Sequence, residues 1–341
     1  MSYKQLTTQD KVISTDSITG TVWSGNAPTL AAVYTSSVQA TSNTGQYYLH
    51  IYQTASLDST ATVQYDVAYA DAAGSGSLFY NNLVTGSSPS KTIYGQYRTL
   101  CLGDENAQFV FGDYSGSNFY ALSVERARYK EKLAIGTMTM KIQGDGGIGT
   151  VVLTDNSKAT TVTNFNDAGR VYQLVSGSAG TIHTGTNANG YSNGNGSYGL
   201  FMPDIGLILL NAAALDGNSA AKGINLSTSR SFDTNDLNTK KLYTAFSRSQ
   251  HFLLNSEESI SSEFLFCRAQ NQEFNFSENP SFISGSNGAV IYDQFINNPQ
   301  TYITSVGLYN AVNELVAVAK LSRPLLKDFT KETLVRVKLD F

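Results

Sequence analysis

The 341-residue chain is 41% hydrophobic and only 15% charged, with a net charge of −4, which leaves no basic field to draw nucleic acid or anionic lipid. Its 20 tyrosines and 17 phenylalanines can bury enough area to offset chain entropy, which excludes a disordered tail. Ser, Thr, Asn and Gly fill most of the remainder, so the expected class is mainly β with a few short helices, a β-rich α+β chain of antiparallel sheets in two domains.

Residues 1–20 read as an N-terminal arm. Lys4, Gln5, Asp10 and Lys11 interrupt the stretch where a secretory signal needs an apolar run, so a soluble protein made and used without export is expected. Residues 21–145 read as a first β-rich domain, with short alternating runs at Tyr47 to Tyr52, Thr62 to Tyr69, Phe109 to Phe111 and Thr137 to Ile142. Val63, Tyr65, Val67 and Tyr69 share one face, the pattern of a half-buried antiparallel strand. The densest charge cluster, within Leu122 to Leu133, predicts a strand followed by a short charged helix or turn with a solvated face.

Residues 146–341 read as a second β-rich domain. Gly144 to Gly149 matches G-x-G-x-x-G, but Thr150 to Thr154 continues as strand chemistry where a dinucleotide site needs a helix. A hairpin turn is therefore expected. Strand and turn alternate from Val151 to Leu174. A long Gly/Asn loop spans 185–199, and Leu200 to Leu210 reads as one buried strand with Pro203 near its start. One helix is expected near 234–248, capped by Asp233 or Thr234, with Leu237, Leu242, Tyr243 and Phe246 on one side. Glu263 to Ala269 reads as a strand. Tyr302 to Tyr309 and Leu315 to Leu321 read as a hairpin turning through Asn310 to Glu314, which Ser322-Arg323-Pro324 should stop. From Thr333 the period is two, with Val335, Val337, Leu339 and Phe341 on one face and Arg336, Lys338 and Asp340 on the other.

Chemistry-bearing patterns are sparse. His50, His183 and His251 stand apart from any nucleophile motif or H-E-x-x-H pair. Asp233-Thr234-Asn235-Asp236 lacks the Gly and distal Glu of a calcium loop. Cys101 and Cys267 read as two buried structural thiols. Glu257, Glu258, Asp104, Glu105 and Glu131 are the carboxylates available for glycoside cleavage, and nothing in the sequence singles out a pair. Tyr191 and Tyr198 in the long loop are candidates for stacking on a sugar or docking on another chain. No catalytic residue, cofactor or metal is expected, and no enzyme.

The C-terminal third carries a resemblance. Phe264-Leu265-Phe266-Cys267-Arg268-Ala269 through Phe274-Asn275-Phe276-Ser277-Glu278-Asn279-Pro280-Ser281-Phe282, then Asn298-Pro299-Gln300-Thr301-Tyr302 to Asn310, resembles virion structural proteins of contractile-tailed phages, especially myoviruses infecting cyanobacteria. Glu314 to Leu321 and Val335 to Phe341 look like the same family, as more loosely does Phe119 to Ile142, whereas residues 1–100 contribute almost nothing to the likeness. The resemblance implies a structural subunit of a virion assembled in the host cytoplasm, most readily in tail or baseplate. Its partners would be other virion proteins, with the chain forming a homo-oligomer or present in multiple copies in the particle and touching neither nucleic acid nor membrane. A receptor- or glycan-binding tail protein meeting host surface glycan is the alternative, followed by a depolymerase or a neck or capsid-decoration protein. Phe274 and Phe276, placed on one face of an extended segment with Pro280 preventing ordinary helix, are candidate assembly contacts, together with Tyr302, Tyr309 and Phe341. The competing expectation for the two phenylalanines is a core-covering loop with buried rings.

Overall fold

The computed structural model describes residues 3–35, 48–55, 58–74, 89–112, 114–147, 149–184, 197–218, 223–230, 235–285 and 287–340. Phe341, Tyr191, most of the 185–199 loop and the capping pair Asp233 and Thr234 lie outside them. The first strands are β1 (Lys11–Thr21), β2 (Thr29–Leu30), β3 (Tyr34–Thr35), β4 (Tyr48–Tyr52), β5 (Val63–Asp71), β6 (Phe109–Phe111), β7 (Tyr114–Gly116), β8 (Asn118–Val124) and β9 (Lys132–Leu133). There follow β10 (Thr139–Gln143), β11 (Thr150–Asp155), β12 (Asn164–Asn166), β13 (Gly169–Ser178), β14 (Thr181–Ile182), β15 (Gly199–Met202), β16 (Leu207–Asn211) and β17 (Phe252–Leu253). The last are β18 (Asn255–Ala269), β19 (Gln300–Tyr309), β20 (Leu315–Asp328) and β21 (Thr333–Asp340). Four α-helices accompany them among the described residues: α1 (Ser90–Leu102), α2 (Ala212–Asp216), α3 (Asn235–Ser249) and α4 (Gln294–Asn297). The fold is mainly β, as the composition predicts.

Two compact units result, Ile18–Glu258 and Met1–Ser17 with Ser259–Phe341. The expectation placed the division between 145 and 146. That point lies in the turn joining β10 to β11, where Gln143 pairs with Thr150 and Gly144 N–H donates to Gly149 O. The G-x-G-x-x-G segment is thus a hairpin connection.

The larger unit is built on one antiparallel sheet in the order β2-β17-β10-β11-β13-β15-β16-β8-β5-β4-β3. Its central strands bury both faces. On β5, β8 and β16, Tyr65, Val67, Tyr69, Tyr120, Leu122, Ile208 and Leu210 enter one core with Leu242 and Phe246 of α3. Ala68, Ala70, Phe119, Ala121, Leu207 and Leu209 enter a second core with Ile93, Tyr94 and Cys101 of α1. β5 is therefore not the half-buried strand its tyrosine alternation suggests, because small alanines on its other face admit a covering helix.

Helix α1 has no counterpart in the sequence reading, which placed helical structure only near 234–248 and in the charged 122–133 segment. Its apolar side recurs at Ile93, Tyr94, Tyr97 and Cys101, a helical spacing. Gly103 ends it in the left-handed conformation, φ 63°, donating its N–H to Thr99 O. The 122–133 segment holds the end of β8, a single 3-10 turn at Arg126–Arg128, and β9. Leu200 to Leu210 is two strands, not one: β15 and β16 pair from Gly199↔Leu210 to Met202↔Leu207, and Pro203 sits in the turn between them.

In the smaller unit, β18 pairs with β21 from Ser262↔Asp340 to Ala269↔Thr333. Residues directly opposite share a face, so Leu265, Cys267, Val335, Val337 and Leu339 point one way. They meet Leu6 and, from the β19-β20 hairpin, Val306, Leu308, Ala319 and Leu321. The hairpin turns through 310–314 as expected, but β20 continues past Ser322-Arg323-Pro324 to Asp328. Proline is tolerated there because the register jumps from Ser305↔Lys320 to Ile303↔Leu325, leaving a bulge that asks for no ladder hydrogen bond from it.

Candidate functional site

The sequence-nominated contact residues sit on the smaller unit, where burial is scarce. Among the described residues its apolar cluster contains three buried side chains, Leu265, Val335 and Val337. Of the 24 exposed large apolar side chains among the described residues, seventeen belong to this unit, although it is much the shorter. From Phe276 to Leu326 no described residue is buried at all.

The hairpin explains part of this. Val306, Leu308, Ala317, Ala319 and Leu321 face the small cluster and are half-buried. The opposite face carries Val318 at 61% exposure and Tyr309 at 39%, and Tyr302, beyond the register shift, is 62% exposed. Gly307 lies beneath the Tyr309 ring, close enough that an added Cβ would come within 3.0 Å of it, and Tyr309 meets Tyr3 edge-on at 4.8 Å. On the far side of β21, Arg336 and Lys338 lie over the Phe264 ring at 5.4 and 5.9 Å, a cationic cover over an aromatic.

The loop after β18 is pinned by a buried lysine. Lys327 is fully buried, and its Nζ donates to Asn275 Oδ1 at 2.7 Å, Asp328 O at 2.9 Å and Asn271 O at 3.0 Å. Burial pulls its pKa down, opposed by the charges of Asp328, Glu273 and Glu332. Three acceptors match the three donors of an ammonium, and Asn275 Nδ2 closes back on Asn271 O. Held this way, Phe274 takes a left-handed backbone, φ 57°, a conformation a bulky residue keeps only when its surroundings impose it. The Phe274 and Phe276 side chains are 42% and 57% exposed. The segment is a turn and not an extended face, since Glu273 N–H bonds Gln270 O. Neither ring covers the core.

Phe274, Phe276, Tyr302 and Tyr309 are thus all exposed on one unit. Phe341 lies outside the described residues. Sequence reading missed Lys327, Val316 and Val318. The two valines had a signal: Leu315-Val316-Ala317-Val318-Ala319 is apolar at both strand phases, which one covered face does not require.

The other nominated groups are engaged elsewhere. Glu258 pairs with Lys130 at 2.7 Å, while Glu131 and Glu257 approach Lys132 at 3.6 and 3.9 Å. Asp104 caps its own turn by accepting from Asn106 N–H. Tyr198 is fully buried and exchanges backbone bonds with Leu174 and Asn211, so it cannot stack on a sugar. Cys101 is buried, its thiol pushed up to about 12 by burial, whereas Cys267 is only half-buried, its thiol also raised by burial, and both are free. His183 meets Ser176 Oγ at 3.3 Å, and burial with the charge of Lys141 lowers the pKa of His251. His50 bonds Asp66, whose pKa burial raises against that bond, and lies between Tyr48 and Tyr52. Among the described residues no group of three His, Cys, Asp or Glu gathers to hold a metal ion. No protein-family model, curated protein or solved structure matches this chain.

Proposed function

We propose that this chain is a structural subunit of a phage particle, in tail or baseplate, acting through protein contacts of its smaller unit. The observation that carries an assembly role is the run from Phe276 to Leu326, ordered as strand from Gln300 onward apart from the turn, yet without one buried residue among those described. Ordering a residue costs about 1–2 kcal/mol in backbone entropy, which folded segments offset mainly by burial. A segment with so little burial of its own acquires it from a neighbour. Contiguous exposed apolar surface of this kind marks an interaction site. The virion assignment itself rests on the sequence resemblance in the same residues. No catalytic step is assigned.

The test is complementation. A phage lacking the gene is supplied with the chain in trans, and the purified particles are probed for it. Wild-type chain should enter the particle and restore plaques, while Tyr302→Asp with Val318→Asp should fold but stay out. Absence of the wild-type chain from purified particles would overturn the reading.

One observation favours glycan binding as a second reading. Tyr48, His50 and Tyr52 share a face of β4, Tyr34 pairs with Tyr52, and Asp66 stands beside His50. Half-exposed rings beside a carboxylate suit the apolar face and hydroxyls of a sugar. Saccharide-array binding lost on Tyr48→Ala would support it.

A further inference from the structure

The assembly reading leaves the neighbour unnamed, and β20 points to one. Its run Glu314-Leu315-Val316-Ala317-Val318-Ala319-Lys320 places an acid and a base at equal distances from Ala317, with five apolar residues between them. Such a run is complementary to its own reverse. A two-fold axis through Ala317 sets Glu314 of each copy against Lys320 of the other, with Val316 against Val318, while Ala317 and Ala319 face the chain's own cluster. A foreign partner would require no such symmetry.

The local structure leaves this run open. Among the described residues β20 pairs only with β19. Glu314, Leu315, Val316, Val318 and Lys320 are exposed, and Asn310 Nδ2 holds Glu314 Oε2 at 2.8 Å at the mouth of the turn. The register shift from Leu308↔Ala317 to Tyr309↔Leu315 puts a bulge at Val316. A bulge twists an edge away from continuous pairing, so the contact this surface suits is made by side chains and not by an extended backbone ladder.

We propose that a second copy of this chain covers the hairpin in an antiparallel two-fold contact centred on Ala317, with reciprocal Glu314–Lys320 pairs. The inference rests on the assembly reading and names its partner. Apolar burial supplies the association energy, and the charges select the register and exclude other alignments. A contact of this kind uses the same patch on both copies.

Sedimentation equilibrium on the purified full chain tests it. Wild type should form a reversible dimer. Glu314→Lys alone and Lys320→Glu alone each set like charges together and should weaken dimerisation roughly tenfold, about 1.4 kcal/mol. The double variant Glu314→Lys with Lys320→Glu should restore it. An equimolar mixture of the two single variants should associate more tightly than either alone. Unchanged circular dichroism and melting of each variant establish that the fold is intact. A wild-type chain that stays monomeric at every concentration overturns the inference, as does a double variant as weak as the singles. If wild type is monomeric but still enters the particle in the complementation test, the assembly reading stands and only the self-contact falls.

Discussion

The central strands of the larger unit and the hairpin of the smaller one have the same raw material, short alternating apolar runs, and meet opposite fates. Phe119 on β8 is fully buried among the rings of Tyr94, Tyr97, Phe109 and Phe111. Tyr302 on β19, an aromatic of similar size, lies mostly in solvent. The difference is not propensity. β8 has α1 on one side and α3 with its cluster on the other, whereas β19 and β20 have a small cluster on one side and, on the other, mostly exposed side chains among the described residues, with Tyr3 against Tyr309. A strand's stability is set by what covers each of its two faces, and on the proposed assembly reading the uncovered face is held for an interaction.

The sharpest way to break this contrast is truncation inside the larger unit. Phe119→Ala should cost about 3–5 kcal/mol through lost burial and a cavity, read as a lowered urea midpoint. A loss below about 1 kcal/mol would mean that the two-sided core is not what holds this unit. In the smaller unit, Leu265→Ala should cost about 2–3 kcal/mol, and hydrogen exchange should locate the damage. Amides of β18 and β21 should open while those of β8 and β16 keep their protection. Equal loss of protection in both would mean that the units fold as one.

Lys327→Met tests the loop. It leaves Asn275 Oδ1 and Asp328 O without the ammonium, and Asn271 O with the bond from Asn275 Nδ2 alone, and an unpartnered buried acceptor costs about 1–3 kcal/mol. Chymotrypsin should then cut faster at Phe274 and Phe276, and an unchanged cleavage rate would show that the anchor is dispensable.

A smaller, pH-dependent effect belongs to Arg170 and Asp204. Burial raises the Asp204 pKa, but hydrogen bonds and charge from Arg170 outweigh it and the net shift is downward. The pair's contribution is therefore fully present above the carboxylate's ordinary 3.8 and is lost as pH falls through the lower folded value. Asp204→Asn should lower the melting temperature at pH 7 and remove part of the loss of stability seen as the pH falls below the carboxylate's ordinary 3.8. A variant with the wild-type acid profile would assign that loss to other carboxylates.

The smallest effect on folding is expected where the effect on assembly is greatest. Tyr302→Ser and Val318→Ser alter exposed side chains and should change stability by no more than about 0.5 kcal/mol. Urea denaturation checks this beside the particle-incorporation measurement. Destabilisation above about 2 kcal/mol would show that the exposed face supports the fold itself, and would remove the contrast between the units.

Much of the molecule was legible in its residues. Period-two alternation located β4, β5, β10, β19 and β21, the Gly-Asp-Gly-Gly turn was identified as a hairpin connection, and the helix near 234–248 followed from its apolar side. Alternation fixes which residues share a face because successive side chains on an extended chain point oppositely. It says nothing about what stands opposite. Helix α1 went unread although Gly103 and the Ile93, Tyr94, Tyr97, Cys101 spacing announce it, because Ser, Lys, Thr, Gly and Gln dilute its apolar side. Lys327 lies past Ser322-Arg323-Pro324, where the alternation gave no reason to continue the strand. Only the return of β20 past the 271–275 turn brings three carbonyl oxygens to its ammonium and so keeps Phe274 and Phe276 outward. The residues determined the strands and most of their turns, since those depend on near neighbours in sequence. Burial of β8 on both faces and the open face of β20 were decided by tertiary structure, because covering a face takes residues that the chain brings back from far away, or leaves for another molecule to supply.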